Sequence, residues 1–364
     1  MSEQATLGSN PFNNSGLFTD HYLHNSVPET EQWDCDAEAE EAFEELKKLW
    51  EKEKQVVDSY QEKELQSAWI DEVLSLLGYD SLTETSVPNE RGQVDYILFS
   101  SASVRRRARN LGNLTETYKK SLGILEAKQW DEDFEKEYKN RPYRNASSQV
   151  RHYLDRTPEN IRWAFLTNGR KWRIHSNRVY ETQVYYEVDL VDLIANGSLS
   201  DFKYFYCFFH RNALTGSIGE SFLDKVYRES EIYAEQLGED LQDNVFTALR
   251  VLGEGFVECN DLDIASEDEE QLRDLKEQSL VYLYRLMFVL YAEGKELIHP
   301  ESDVAQRNYE TEFSLERIRE DIVDEAGEGE YFAEFNAVSR SYWDRLDRLF
   351  ELIDSGNDEL GIPA

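Results

Sequence analysis

The chain has 364 residues, with 40% hydrophobic and 13% aromatic content, enough for two domains with real cores. Its formal charge of −35 argues against a generally basic nucleic-acid-coating protein and suits a high-salt cytoplasm, where acidic excess maintains solubility. No apolar run approaches the roughly 20 residues a membrane helix needs, and the N-terminus has no basic start or apolar core of a signal peptide.

Charge is unevenly distributed. From Arg91 to Arg178 there are 19 Lys and Arg against 10 Asp and Glu, whereas the remainder holds 20 basic and 64 acidic residues. Repulsion within that acidic remainder should weaken the compact state at low ionic strength, and salt should relieve it. The thermal midpoint is therefore expected to rise as KCl approaches molar levels; a midpoint that stays flat or falls would contradict the halophilic reading. The three cysteines, Cys35, Cys207 and Cys259, fit neither a disulfide framework nor a zinc site by spacing, which points to a cytoplasmic protein. The six histidines show no metal-ligand spacing.

Residues 1–30, rich in Asn, Ser, Gly and Thr, predict a disordered tail. Glu29 to Lys63 suits an amphipathic helix with a narrow apolar stripe. Gln61 to Leu77 is a stronger helix, with Leu65, Ala68, Trp69, Val73, Leu76 and Leu77 spaced by threes and fours, closed by Gly78. Two short strands follow, Val94 to Phe99 and Leu122 to Lys128, each interrupted by a carboxylate where a structural strand would carry another apolar residue. Alternation puts Glu126 and Lys128 on one face, and pairing of the strands as a hairpin would bring Asp95 to it. Two carboxylates there suit a hard divalent cation such as Mg²⁺. The Lys128 ammonium could orient an attacking water or stabilise developing negative charge. The E-x-K pattern alone carries nothing, since Glu45–Lys47, Glu137–Lys139 and Glu293–Lys295 repeat it in charged helical or turn contexts.

The long connection from Ser100 to Ser121 carries Arg105, Arg106, Arg107, Arg109, Lys119 and Lys120, candidates for phosphate contact. Ala146 to Leu154 reads as a helix with Gln149 and Tyr153 on one face. Arg162 to Thr167 and Lys171 to His175 read as strands joined by the Asn168-Gly169 turn, and Val184 to Val188 as a further strand. Together these elements predict an α/β core with a mixed sheet flanked by helices over 31–198. From 199 to 364 the texture becomes all-α: an aromatic stretch from Leu199 to Arg211, then helical patterns at Ser221–Leu237, Asp240–Glu258, Glu270–Tyr291, Leu315–Asp324 and Ala337–Ile353. Leu280 to Tyr291 is apolar nearly all round, which predicts a buried bundle helix.

Asp95, Glu126-Ala127-Lys128 and Gln149-x-x-x-Tyr153 resemble the PD-(D/E)xK nuclease superfamily. The Thr167-Asn168-Gly169 turn followed by Trp172 resembles the nuclease modules of restriction enzymes, and Leu76-Leu77-Gly78-Tyr79 the end of their first helix. By that resemblance Glu64 takes the helix-glutamate position, with Glu72 as runner-up. Leu283 to Glu293, and Leu349-Phe350-Glu351-Leu352-Ile353 through Leu360-Gly361-Ile362-Pro363-Ala364, are similar to the helical connector of single-chain type IIG restriction–modification enzymes. Val94 stands where the superfamily's proline would be, and the Asp95–Glu126 gap is longer than usual.

The resemblance implies a restriction-endonuclease-like α/β core with a helical connector. The implied activity is Mg²⁺-dependent hydrolysis of double-stranded DNA, with Asp95 and Glu126 on the metal, Lys128 positioning the water and Gln149 orienting reacting groups. In that family the connector leads into an adenine methyltransferase domain that binds S-adenosylmethionine. This sequence contains no N-P-P-Y motif, so methylation and target recognition are expected from a partner chain or from missing sequence. Two other readings compete: a catalytically silent fragment or scaffold of such a system, and a generic repair or recombination nuclease.

Overall fold

The computed structural model describes residues 10–88, 92–139, 141–216, 220–265, 268–295, 297–298, 300, 302–326 and 341–357. The described chain forms two compact units, 1–236 and 237–364.

The first unit is built on a seven-stranded mixed sheet of order β1-β7-β6-β5-β4-β3-β2. The strands are β1 (Asn13–Asn14), β2 (Asp80–Ser86), β3 (Gln93–Phe99), β4 (Gly123–Ala127), β5 (Trp163–Thr167), β6 (Lys171–Ser176) and β7 (Tyr186–Asp189). The expected hairpin is present: β3 and β4 pair antiparallel with Tyr96 opposite Leu125. β4 and β5 are the parallel pair. Gly169, at φ +85°, takes the turn between β5 and β6, a conformation costly for any residue with a Cβ. The sequence reading passed over β2, whose Thr- and Ser-rich run has the half-buried look of an edge strand.

Helices α1 (Asp36–Glu53), α2 (Glu62–Leu65) and α3 (Asp71–Leu76) precede β2; a wide turn, Gln66–Ile70, joins the last two. Gly78, at φ +77°, ends this segment as expected. Between β3 and β4 lie α4 (Ala102–Arg109) and α5 (Leu114–Tyr118), capped by the side chains of Ser101 and Asn113. Helix α6 (Ala146–Leu154) precedes β5, and α7 (Leu190–Asn196), α8 (Leu199–Phe209) and α9 (Arg211–Leu214) follow β7.

Strand alternation divides the core between the sheet's two faces. Tyr96, Leu98, Leu125, Phe165 and Trp172 join the cluster formed with α1, α3 and α8. Ile97, Phe99, Ile124, Ala164 and Leu166 join Val150, Tyr153 and Leu154 of α6. Two expectations fail here. Within 10–30, Phe12, Leu17, Phe18, Leu23 and Val27 are buried in the first cluster and β1 pairs with β7, so this stretch is part of the fold; residues 1–9 lie outside the described residues. The aromatic stretch assigned to the second domain also belongs to the first unit. Phe205 and Phe209 of α8 pack edge-on against Trp172 of β6, because a row of large rings covers a sheet face better than it faces water. The boundary accordingly falls near 236 instead of 198.

The two helical patterns at 221–237 and 240–258 are one helix, α10 (Phe222–Cys259), which passes from the first unit into the second. The second unit continues with α11 (Glu269–Gly294), α12 (Asp303–Asn308), α13 (Leu315–Ala326) and α14 (Ser341–Ser355). Its small core gathers Val289, Tyr309, Leu315, Ile318, Leu349 and Leu352. The expectation that Leu280 to Tyr291 is buried all round fails, since Tyr284, Phe288 and Tyr291 are 66%, 62% and 58% exposed. Among the described residues, one face of α11 finds core partners and the other does not. Residues 337–340 of the last expected helix and the terminal 360–364 lie outside the described residues. No helix among the described residues is long and apolar enough to cross a membrane.

Candidate active site

Extending the β3–β4 register one residue beyond Tyr96–Leu125 sets Asp95 opposite Glu126, with both side chains on the face covered by α6. The ladder is completed there by a side chain: the Ala127 N–H donates to Asp95 Oδ2 at 2.7 Å. Past the end of β4, the Lys128 N–H donates to the Thr167 carbonyl at 2.8 Å, which keeps the backbone extended. Lys128 consequently turns to the same face as Glu126, and its Nζ lies 2.7 Å from Glu126 Oε1.

Helix α6 supplies the fourth group. Gln149 Nε2 donates to Glu126 Oε1 at 2.6 Å and reaches the Tyr153 hydroxyl at 3.4 Å. Oε1 thus takes two donors, while Glu126 Oε2 and Gln149 Oε1 are buried acceptors with no hydrogen-bond partner. Such orphaned oxygens are costly unless a donor or a cation meets them. Asp95, Glu126, Lys128 and Gln149 therefore come together as the sequence reading expected.

Burial pushes the Glu126 carboxyl up to about 8, against the pull of Lys128 and with further upward push from Asp95. Burial also raises Asp95, opposed by the Ala127 N–H and by Lys128. Burial works against the Lys128 ammonium, yet Glu126 and Asp95 hold its pKa above the ordinary lysine value. Glu126 and Lys128 are buried and Asp95 is half-buried, so one ammonium faces two carboxyl groups at an edge that solvent can approach.

The helix glutamate differs from expectation. Glu64 is exposed, and its Oε2 accepts from the Gln61 N–H at 3.3 Å, capping its own helix. Glu72 is exposed on α3. Glu62, itself exposed, is the carboxylate of this helix whose charge acts on both Asp95 and Glu126, and Gln66, one turn along, acts on Asp95 to lower its pKa. Two residues along a helix turn a side chain by about 200°, so Glu62 and Glu64 cannot serve the same side. The Glu62-x-x-x-Gln66 spacing was a visible signal that the sequence reading did not use.

A second set of residues positions α6. Asn145 caps it reciprocally with Ser148. Asn145 Nδ2 also donates to Glu135 at 2.9 Å, and Arg173 Nη1 donates to Glu135 at 2.6 Å and to Ser147 at 2.7 Å. Arg173 is buried, paired with Glu187 at 2.8 Å, with its guanidinium 3.5 Å from the Tyr185 ring centre. This buried network ties the start of α6, and hence Gln149, to β6 and β7.

Among the basic residues of the β3–β4 connection, Arg105 pairs with Asp80 at 2.5 Å and Lys119 with Glu116 at 2.8 Å. Arg106, Arg107, Arg109 and Lys120 are exposed. The connection leaves β3 at Phe99, the end away from Asp95. The cation that acts on both site carboxylates is instead Lys128.

Among the described residues no three or more His, Cys, Asp and Glu side chains gather as a ready-made metal cage. Asp95, Glu126 with its unpartnered oxygen, and the Gln149 amide oxygen still fit Mg²⁺, which commonly takes one or two carboxylates and fills its remaining positions with water or substrate phosphate. A raised carboxyl makes a linkage prediction. The stability that Glu126 lends is complete below the ordinary glutamate value of 4.5 and is lost as pH rises through about 8. A divalent cation holds the ionised form, so the rise in thermal midpoint on replacing EDTA by Mg²⁺ should grow between pH 6 and 8. A shift independent of pH would separate metal binding from Glu126.

No protein-family model, no curated protein and no solved structure matches this chain.

Proposed function

We propose that the chain is a Mg²⁺-dependent DNA endonuclease module of a type IIG-like restriction–modification system, with a restriction-endonuclease-like core. The observation that carries this reading is the buried Asp95–Glu126–Lys128–Gln149 group with two acceptor oxygens left without partners. Asp95 and Glu126 would hold the metal ion, whose chemistry when bound would be Lewis-acid stabilisation of the scissile phosphate and activation of water. Lys128, two residues beyond Glu126 on the same face, steers the nucleophilic water and offsets charge on the phosphate. Gln149 orients Glu126 and offers its own amide oxygen to the site.

The test is cleavage of supercoiled DNA by the full chain, alone and with a candidate adenine methyltransferase that binds S-adenosylmethionine. Divalent-dependent linearisation supports the reading; intact DNA under both conditions with Mg²⁺ and with Mn²⁺ overturns it. Co-purification with the methyltransferase tests the partner part separately.

Arg106, Arg107 and Arg109, together with Lys120, are the surface cations proposed to meet backbone phosphate. Neutralising the three arginines should weaken DNA binding across sequences and flatten its salt dependence, by about one unit of log–log slope per lost phosphate contact. An unchanged slope in a filter-binding or anisotropy titration would remove them from the interface.

A further inference from the structure

Cys35 and Cys207 stand 172 positions apart, and spacing alone gave no reason to pair them. The fold sets their Sγ atoms 3.5 Å from each other. Cys35 occupies the N-cap of α1, where Ser, Thr, Asp or Asn ordinarily accepts a backbone N–H; here the side chain makes no capping bond. Its sulfur faces Cys207 on α8, whose single S–H lies within reach of both Cys35 Sγ and the Gln32 carbonyl, the latter 3.4 Å away. Beside the two sulfurs opens a cavity of about 480 Å³ whose lining includes Glu31, Asp34, Glu38, Tyr206, His210 and Arg211. Cys35 is partly exposed and Cys207 is buried, and both line the cavity, so Cys35 is the thiol more open to solvent.

We propose that Cys35 and Cys207 form a thiol–disulfide exchange site that takes a low-molecular-weight disulfide as its oxidant. Cys35 attacks first. The hydrogen bond with Cys207 lowers its pKa, burial opposes this, the Lys203 ammonium adds to the lowering, and the Asp36 and Glu38 carboxylates act against it; the start of α1 favours the anion. The Cys35 thiolate attacks one sulfur of the small disulfide, forming a mixed disulfide and expelling one thiolate. Cys207, whose pKa the hydrogen bond with Cys35 and burial raise, gives its proton to that first small thiolate as its sulfur attacks Cys35 Sγ, expelling the second small thiolate, which solvent protonates. Two protein thiols are oxidised and one small disulfide is reduced to two thiols. Closing the bond requires the sulfurs to approach by roughly 1.5 Å, a rotamer-scale movement at a helix terminus. The product ties the start of α1 to α8, which covers the sheet.

The test uses the full chain carrying Cys259→Ser, which removes the exposed third thiol, incubated with oxidised glutathione. Non-reducing peptide mapping should show the Cys35 and Cys207 peptides joined, with the link reversed by dithiothreitol. A disulfide closing so long a loop should raise the thermal midpoint by roughly 10 °C, and Cys207→Ala should abolish both the link and the rise. A glutathione adduct that persists on Cys35 without closure overturns the proposal. So does a link that forms only in denaturant, or two thiols that stay reduced under native conditions. None of these readings involves DNA cleavage, so they stand or fall independently of the acid pair.

Discussion

Asp95→Asn is expected to lower Mg²⁺-dependent DNA cleavage on the order of 10³-fold while leaving the fold intact. The asparagine side-chain oxygen can still accept the Ala127 N–H that now bonds Asp95 Oδ2 at 2.7 Å, so the β3–β4 junction keeps its closure and only the anionic ligand is lost. Glu126→Gln should abolish cleavage as thoroughly, for a different balance of reasons. It removes the second carboxylate, while the glutamine amide oxygen can still accept from the Lys128 ammonium that now lies 2.7 Å from Glu126 Oε1. Because burial holds the Glu126 carboxyl up to about 8, the neutral glutamine resembles the protonated side chain, so Glu126→Gln should unfold no earlier than the unsubstituted chain at pH 7 and should lose less stability as pH rises towards 8. Cleavage assays paired with thermal unfolding separate the two effects. Normal turnover in either variant would remove the acid pair from catalysis, and a Glu126→Gln variant that unfolds much earlier at pH 7 would mean that Lys128 needs an ionised partner.

Trp172→Ala should destabilise the first unit by about 3–5 kcal/mol, the range for truncating a fully buried large aromatic. Trp172 is wholly buried on β6, with ring centres 5.7 Å and 6.0 Å from Phe205 and Phe209 of α8. Its indole N–H, however, is buried without an acceptor. Trp172→Phe keeps the ring packing and removes that unsatisfied donor, so its cost should be about 1 kcal/mol or less. Urea titration of both variants gives the comparison directly. An alanine variant as stable as the phenylalanine one would mean that α8 is not held on the sheet by these rings.

The parts of the fold and site legible from sequence are those set by local periodicity. Alternation puts Glu126 and Lys128 on one side of a strand, and the four-residue spacing of Gln149 and Tyr153 puts them on one side of a helix. The Asn168-Gly169 turn announces the β5–β6 hairpin because few residues accept a positive φ. Each is a property of a few consecutive residues, and each survives in the structure. The choice between Glu62 and Glu64 is not of this kind, since both sit on the same short helix and only the position of Asp95 decides which side faces it. The same holds for Arg173, an ordinary strand cation in sequence, whose burial against Tyr185, Glu135 and Glu187 depends on three separate segments meeting. Composition marked residues 10–30 as a tail, yet Phe12, Phe18 and Leu23 bury against rings of β7 and α8 far along the chain. Likewise, nothing local joins Cys35 to Cys207. Short-range sterics and hydrogen bonding write the local pattern into the sequence, whereas long-range burial decides which side chains become neighbours.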